Sequence, residues 1–144
     1  MLFAAIDIGS NAVRLLFANV FEIEGFTRIE KASLIRIPLQ LGKDVFKTHS
    51  ISNSREKNFI NTMKAFKLLI DVYKPVDYIA CATAAMREAE NKDDILRKLK
   101  AETGINVHLI DGALEAKIIR SVHVNSISNT DALTLLIDVG GGST

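Results

Sequence analysis

The chain has 144 residues, 48% of them hydrophobic, enough for one domain with a real core. Its 18 lysines and arginines nearly balance 17 aspartates and glutamates, so no global field argues for nucleic acid or an acidic membrane, and any anion binding must be local. Cys81, the single cysteine, excludes an intrachain disulfide and fits a reducing cytoplasm; an N-terminus without a basic region, its apolar run broken by Asp7, predicts neither signal peptide nor membrane span.

Met1 to Val20 reads as two strands joined by a polar turn, LFAAI-DIGSN-AVRLLFANV. Asp7 closes the first strand and Gly9 lets the backbone turn with no Cβ in the way. Ser10 and Asn11 offer donors at the mouth of the turn, where a phosphate could be cradled, although a plain hairpin turn uses the same residues. Arg14, three residues past Asn11, either joins the site or faces solvent. Glu24-Gly25 signals a turn, and Phe26 to Leu41 a third strand with Pro38 near its end, which makes an antiparallel meander. Gly42 to Ser52 is polar and irregular and reads as a loop. Asn53 to Lys74 carries the strongest helix signal. Phe59, Met63, Phe66, Ile70 and Tyr73 form one apolar stripe at spacings of four and three, Asn53 and Glu56 look like a capping pair, and Pro75 follows the end.

Val76 to Cys81 is short and apolar with a helix on each side, the pattern of a buried strand, and leaves Cys81 a buried, inert thiol. A short helix over Thr83 to Glu90 carries Arg87, which read alone is a surface arginine. Asn91 caps a further helix with Asp93 and Asp94 in its first turn, Ile95, Leu96 and Leu99 on one face, and Gly104 past its end. Asn106 to Ile110 is another strand, and Asp111-Gly112 opens a helix to about Val122. At ~100° per residue Glu115 falls inside the apolar face of Leu114, Ile118, Ile119 and Val122, opposite Lys117, Arg120 and Ser121. Two reasons fit an inward carboxylate. Glu115 stands three residues after Gly112, the capping-box position, or it points into a cleft and serves as a base. His49, His108 and His123 have no ligand spacing.

Ala132 to Thr144, ALTLLI-DVGGGST, repeats the design of the first turn: an apolar strand, Asp138, an apolar residue, Gly140 and small donors. Two matched strand–D-x-G loops are two anion cradles whose carboxylates could hold a cation between them while loop amides take phosphate oxygens. They also point to an internal duplication. The order of elements predicts a mixed sheet, three antiparallel strands and then parallel additions through helices.

In that order, DIGSNAVRLL, ATAAMREAEN, the G-x-x-E-A of Gly112 to Ala116, and DVGGGST resemble the exopolyphosphatase/guanosine pentaphosphate phosphohydrolase family of the actin/sugar-kinase/Hsp70 superfamily. The D-x-G loops are specific to the superfamily; ATAAMREAEN with the later E-A points to the family. The resemblance implies an α/β, ribonuclease H-like (actin-like ATPase) domain over residues 1–130, with a five-stranded mixed sheet of three antiparallel and two parallel strands and helices packed on it. Residues 131–144 would open a second domain that continues past Thr144. The implied activity is metal-dependent release of terminal phosphate from inorganic polyphosphate or guanosine pentaphosphate by a cytoplasmic homodimer, with no nucleic-acid or membrane partner. Glu115 would be the catalytic base. Asp7, Gly9, Ser10, Asn11, Arg14, Arg87, Gly140, Gly141, Gly142, Ser143 and Thr144 would hold phosphates, and Asp138 with Asp7 and Glu115 would position Mg²⁺ or another divalent cation. With one wall of its cleft missing, the 144-residue chain by itself is expected to be inactive. Two departures stand out: Gln40 occupies a position where the family usually has arginine, and Ala113-Leu114 replaces more acidic residues. A sugar- or acetate-type kinase, or a nucleotide-binding assembly module without turnover, are the alternatives.

Overall fold

The computed structural model describes residues 1–23 and 25–123; the expected strand before Asp138, and the second loop with Asp138 and Gly140 to Thr144, lie outside the described residues. Strands β1 (Leu2–Ile8), β2 (Val13–Ile23) and β3 (Phe26–Ile37) form the antiparallel meander. β4 (Asp77–Ala82) pairs parallel to β1, and β5 (Val107–Leu109) parallel to β4, giving the order β3-β2-β1-β4-β5. The expected count and senses of five strands are all present.

Alternation decides which face is covered. Ala4, Ile6, Ile8, Val13, Leu15, Phe17, Ala80 and Ala82 are buried along one face of the sheet. Against them pack Phe59, Met63, Phe66 and Ile70 of α2 (Asn53–Tyr73), and Ile95 and Leu99 of α4 (Lys92–Thr103). Removing one such phenylalanine to alanine costs about 3–5 kcal/mol. Tyr73, the last residue of the expected stripe, is half-exposed yet stacks its ring on Phe17 at 4.3 Å. On the opposite face, Phe3, Ala5 and Leu16 are only partly buried and Ile79 is 51% exposed. β4 is therefore buried on one side, not on both as its apolar run led us to expect. Among the described residues no helix is long and apolar enough to cross a membrane.

Residues 42–52 correct the sequence reading. Instead of a loop, Gly42–Thr48 forms α1. Leu41 and Val45, one turn apart, both enter the core, and His49 in the left-handed conformation (φ 56°) ends the helix. Two apolar residues in a short polar stretch are too few to read as a period. The expected Asn53–Glu56 capping pair is absent as well. Ser52 holds the N-cap position without a side-chain cap bond, and the Glu56 carboxylate pairs with Lys98 of α4 at 2.8 Å. Gly104 (φ 73°) ends α4 as expected.

Asp44 joins α1 to α2. Its Oδ2 accepts a hydrogen bond from the Ser52 amide at 3.1 Å, and its Oδ1 lies 2.8 Å from Arg55 Nε. Hydrogen bonding from Ser52, with Arg55 adding to it, holds the Asp44 carboxyl below its ordinary 3.8. A lowered folded-state pKa contributes stability that is present above the unfolded value and disappears as pH falls through the folded one. Asp44→Asn should therefore lose about 1 kcal/mol at neutral pH, a modest value because solvent screens the pair. In urea unfolding at successively lower pH, the gap to the parent should close below the ordinary aspartate range.

Candidate functional site at the strand ends

The parallel strands β1, β4 and β5 end on one side of the sheet, where open α/β sheets bind ligands, and four connecting segments meet there. The first is the turn after β1. The Gly9 amide donates to the Ala12 carbonyl at 3.1 Å. Gly9 needs room rather than a positive φ: a Cβ there would sit 3.2 Å from the Ala12 oxygen. Ser10 is buried and Asn11 exposed.

The second segment docks on the first through its main chain. The Gln40 amide donates to the Asn11 carbonyl at 2.9 Å, and the Gly42 amide to the Ser10 carbonyl at 2.8 Å. In a trans peptide the C=O of one residue and the N–H of the next point in opposite directions. The amides of Asn11 and Ala12 thus face away from residues 40–42, side by side, as in anion-binding backbone nests. Gly42 makes the approach possible, since a Cβ there would lie 3.1 Å from Ser10 Cβ and 2.7 Å from the Phe46 ring. Gln40 adopts φ 55°, a costly conformation for a non-glycine residue, held by these contacts. Where arginine was expected, the residue serves the loop through its backbone.

The third segment follows β4. The Thr83 amide donates to the Ile8 carbonyl at 3.2 Å and ties the ends of β4 and β1. Helix α3 (Ala84–Glu88) buries Ala84, Ala85 and Met86. Arg87, read from sequence as a surface residue or a phosphate ligand, is half-buried, and its Nη1 donates to the Ile110 carbonyl at 2.9 Å. Asn91 caps nothing with its side chain. Its Oδ1 accepts from the Ile51 amide at 3.0 Å and its Nδ2 donates to the Ile51 carbonyl at 2.9 Å, while the Glu90 amide reaches the His49 carbonyl at 2.8 Å.

The fourth segment follows β5. Ile110 donates to the Ala82 carbonyl at 3.0 Å, and Asp111 Oδ1 accepts from the Leu114 amide at 2.7 Å at the start of α5 (Gly112–His123). The cap is Asp111 rather than Gly112, which moves Glu115 one place past the capping-box position. Glu115 is half-buried, but Leu114 and Ile118 are 44% and 46% exposed. The apolar face expected to turn inward is therefore open.

Two of the expected phosphate ligands meet each other. Asp7 and Arg14 are cross-strand partners, and Arg14 Nη1 lies 2.5 Å from Asp7 Oδ2. Register continues the row with Arg36 beside Arg14, Cys81 beside Asp7 and His108 beside Cys81. Burial, and secondarily Asp7, push the Cys81 thiol up, which keeps it protonated and inert as expected. Among the described residues no three His, Cys, Asp or Glu are placed to hold a metal. Asp7 and Glu115 belong to strand ends with β4 between them, roughly 10 Å apart. That spacing fits Mg²⁺, which keeps several waters and uses one or two carboxylates, better than a cation needing a protein cage.

Residues 27–144 match the Ppx/GppA phosphatase family. The chain is 32% identical over 145 residues to the bifunctional 3-dehydroquinate synthase/phosphatase of Fusobacterium nucleatum, covering 98% of this chain and 22% of that protein. The crystal structure of the Aquifex aeolicus Ppx/GppA family member is similar with a TM-score of 0.80 at 30% identity, covering 90% of this chain and 41% of that one. An exopolyphosphatase from Cytophaga hutchinsonii gives a TM-score of 0.76 at 28% identity, covering 86% and 39%. The chain thus spans between 22% and 41% of the length of these relatives. Its mixed sheet has the actin-like fold of the two structures.

Asn91→Ala should lower stability by about 1–3 kcal/mol, because the Ile51 amide and carbonyl lose their partners. Asn53→Ala, at the supposed cap, should stay within about 0.5 kcal/mol of the parent. Urea unfolding of both variants checks this; equal losses would remove the Asn91 tie.

Proposed function

We propose, since this chain belongs to the Ppx/GppA phosphatase family, that the protein hydrolyses the terminal phosphoanhydride of inorganic polyphosphate or guanosine pentaphosphate. The observation that carries this reading is the turn after β1, whose Ser10 and Asn11 carbonyls are held by residues 40–42 so that its next two amides face the other way together. A terminal phosphate resting on those amides lies at the same strand ends as Glu115 in the first turns of α5. Glu115 orients a water molecule and accepts its proton. The water oxygen bonds to phosphorus while the phosphorus–oxygen bond to the rest of the chain breaks, and the electron pair leaves with that oxygen.

Asp7 and Asp138, with Glu115 reached through water, would hold Mg²⁺, which neutralises phosphate charge when bound. Arg14 sets the cost of using Asp7, because the cation and the guanidinium compete for one carboxylate. Arg87 and the Gly140 to Thr144 loop supply further phosphate contacts in this reading. Assaying phosphate release by the complete protein from polyphosphate, guanosine pentaphosphate and ATP tests it: release from ATP alone would overturn the substrate assignment.

Glu115→Gln should keep the fold and lower phosphate release by roughly 10²–10⁴-fold, the usual contribution of a positioned base. Near-normal turnover in that variant would remove the assignment. Gly9→Val should crowd the Ala12 carbonyl and weaken binding of a phosphate analogue. Gly25→Val, strained by its φ of 82° but at a distant hairpin tip, should lower stability and leave that affinity unchanged. Isothermal titration of both variants separates the two outcomes.

A further inference from the structure

Arg87 makes a bond that a phosphate ligand has no need of. Its Nη1 donates to the carbonyl of Ile110, 23 positions away, at the point where β5 gives way to α5. We propose that Arg87 is a positioning residue for Glu115, acting through the Ile110 carbonyl; this rests on the reading of Glu115 as the base.

The geometry gives α5 few other supports. β5 has three residues and pairs with one neighbour at the sheet edge. Past its end, Ile110 is held on both sides of its backbone, by the Ala82 carbonyl through its amide at 3.0 Å and by Arg87 through its carbonyl at 2.9 Å. The next residue, Asp111, takes the Leu114 amide on its side chain at 2.7 Å and the Glu115 amide on its carbonyl at 3.0 Å. A continuous run of short bonds thus leads from the guanidinium to the backbone of Glu115. Leu114 and Ile118 are nearly half-exposed, so packing does little among the described residues to fix the first turns of the helix.

The brace itself stands on firm ground. The Arg87 amide donates to the Thr83 carbonyl at 3.0 Å, its own carbonyl accepts from Lys92 Nζ at 2.8 Å, and Ala84, Ala85 and Met86 beside it are buried. A guanidinium has five donors in one plane, so one arm can keep the carbonyl while another meets a phosphate oxygen. Substrate and base are then referred to the same rigid group, and a small shift of that group misplaces the attacking water relative to phosphorus. Misplacement of about 1 Å is enough for a loss of about 10²-fold. Lysine, a single point charge, keeps the attraction for phosphate but not the planar two-sided hold.

The test is a double-mutant cycle in the complete protein, read as kcat for phosphate release from polyphosphate. Arg87→Met alone should lower kcat by roughly 10–10²-fold. In the Glu115→Gln background the same change should lower it by less than about threefold, because a residue that acts through Glu115 has nothing left to position. Arg87→Lys should follow the same pattern with KM closer to the parent, and it carries the cycle if Arg87→Met fails to fold. A further loss above about threefold in the Glu115→Gln background would overturn the proposal, since general damage or an independent phosphate contact multiplies in both backgrounds. Failure of the base reading looks different: Glu115→Gln alone would then turn over normally.

Discussion

The hydrogen bonds that Gln40 and Gly42 give to the carbonyls of Asn11 and Ser10 are the constraint on which this end of the molecule depends. They turn two carbonyls toward a neighbouring segment and, through trans peptide geometry, turn the following amides the other way. They also account for the left-handed backbone of Gln40 and for a glycine at position 42, where a Cβ would meet Ser10 and Phe46. The direction of the loop is thus set by main-chain atoms. That is why a glutamine can stand where an arginine was expected without altering the turn.

Around this knot the sheet is asymmetric. One face is sealed by the stripe of α2 with Ile95 and Leu99 of α4, and supplies most of the buried apolar surface. The other keeps Ile79 half in water and carries the polar row of Arg14, Asp7, Cys81 and His108 across three strands. Stability and chemistry are assigned to opposite faces. A charge pair on the second face can be changed without opening the core.

How much of this was legible in the sequence follows from the range of each interaction. The alternation of β1 and β2 and the stripe from Phe59 to Ile70 are local periodicities, and both read correctly. The Asp7–Arg14 pair follows from the length of the Gly9–Ala12 turn, which sets Ile8 opposite Val13 and so Asp7 opposite Arg14; read singly, each side chain looked like a ligand in its own right. The caps misled because Asn91 and Glu56 found partners 40 and 42 positions away, outside any local pattern. The hold of Arg87 on Ile110 was invisible for the same reason. Gly42 and Asp111 did carry a signal, a glycine after an apolar pair and an acidic residue three before the Leu114 amide, but it weighs little until the neighbouring segment is in place.

The Asn91 carboxamide bridges Ile51 across 40 positions, donating and accepting at once like one rung of a ladder. Closing a span of that length costs about 3 kcal/mol of chain entropy beyond the constant of closure, more than two such bonds return on their own. The rung persists only because α2, β4 and α3 are already packed between its ends. A bond of this reach is a ledger entry for the whole domain: when the Ile51 amide is protected from exchange with solvent, everything from one end of the span to the other has folded.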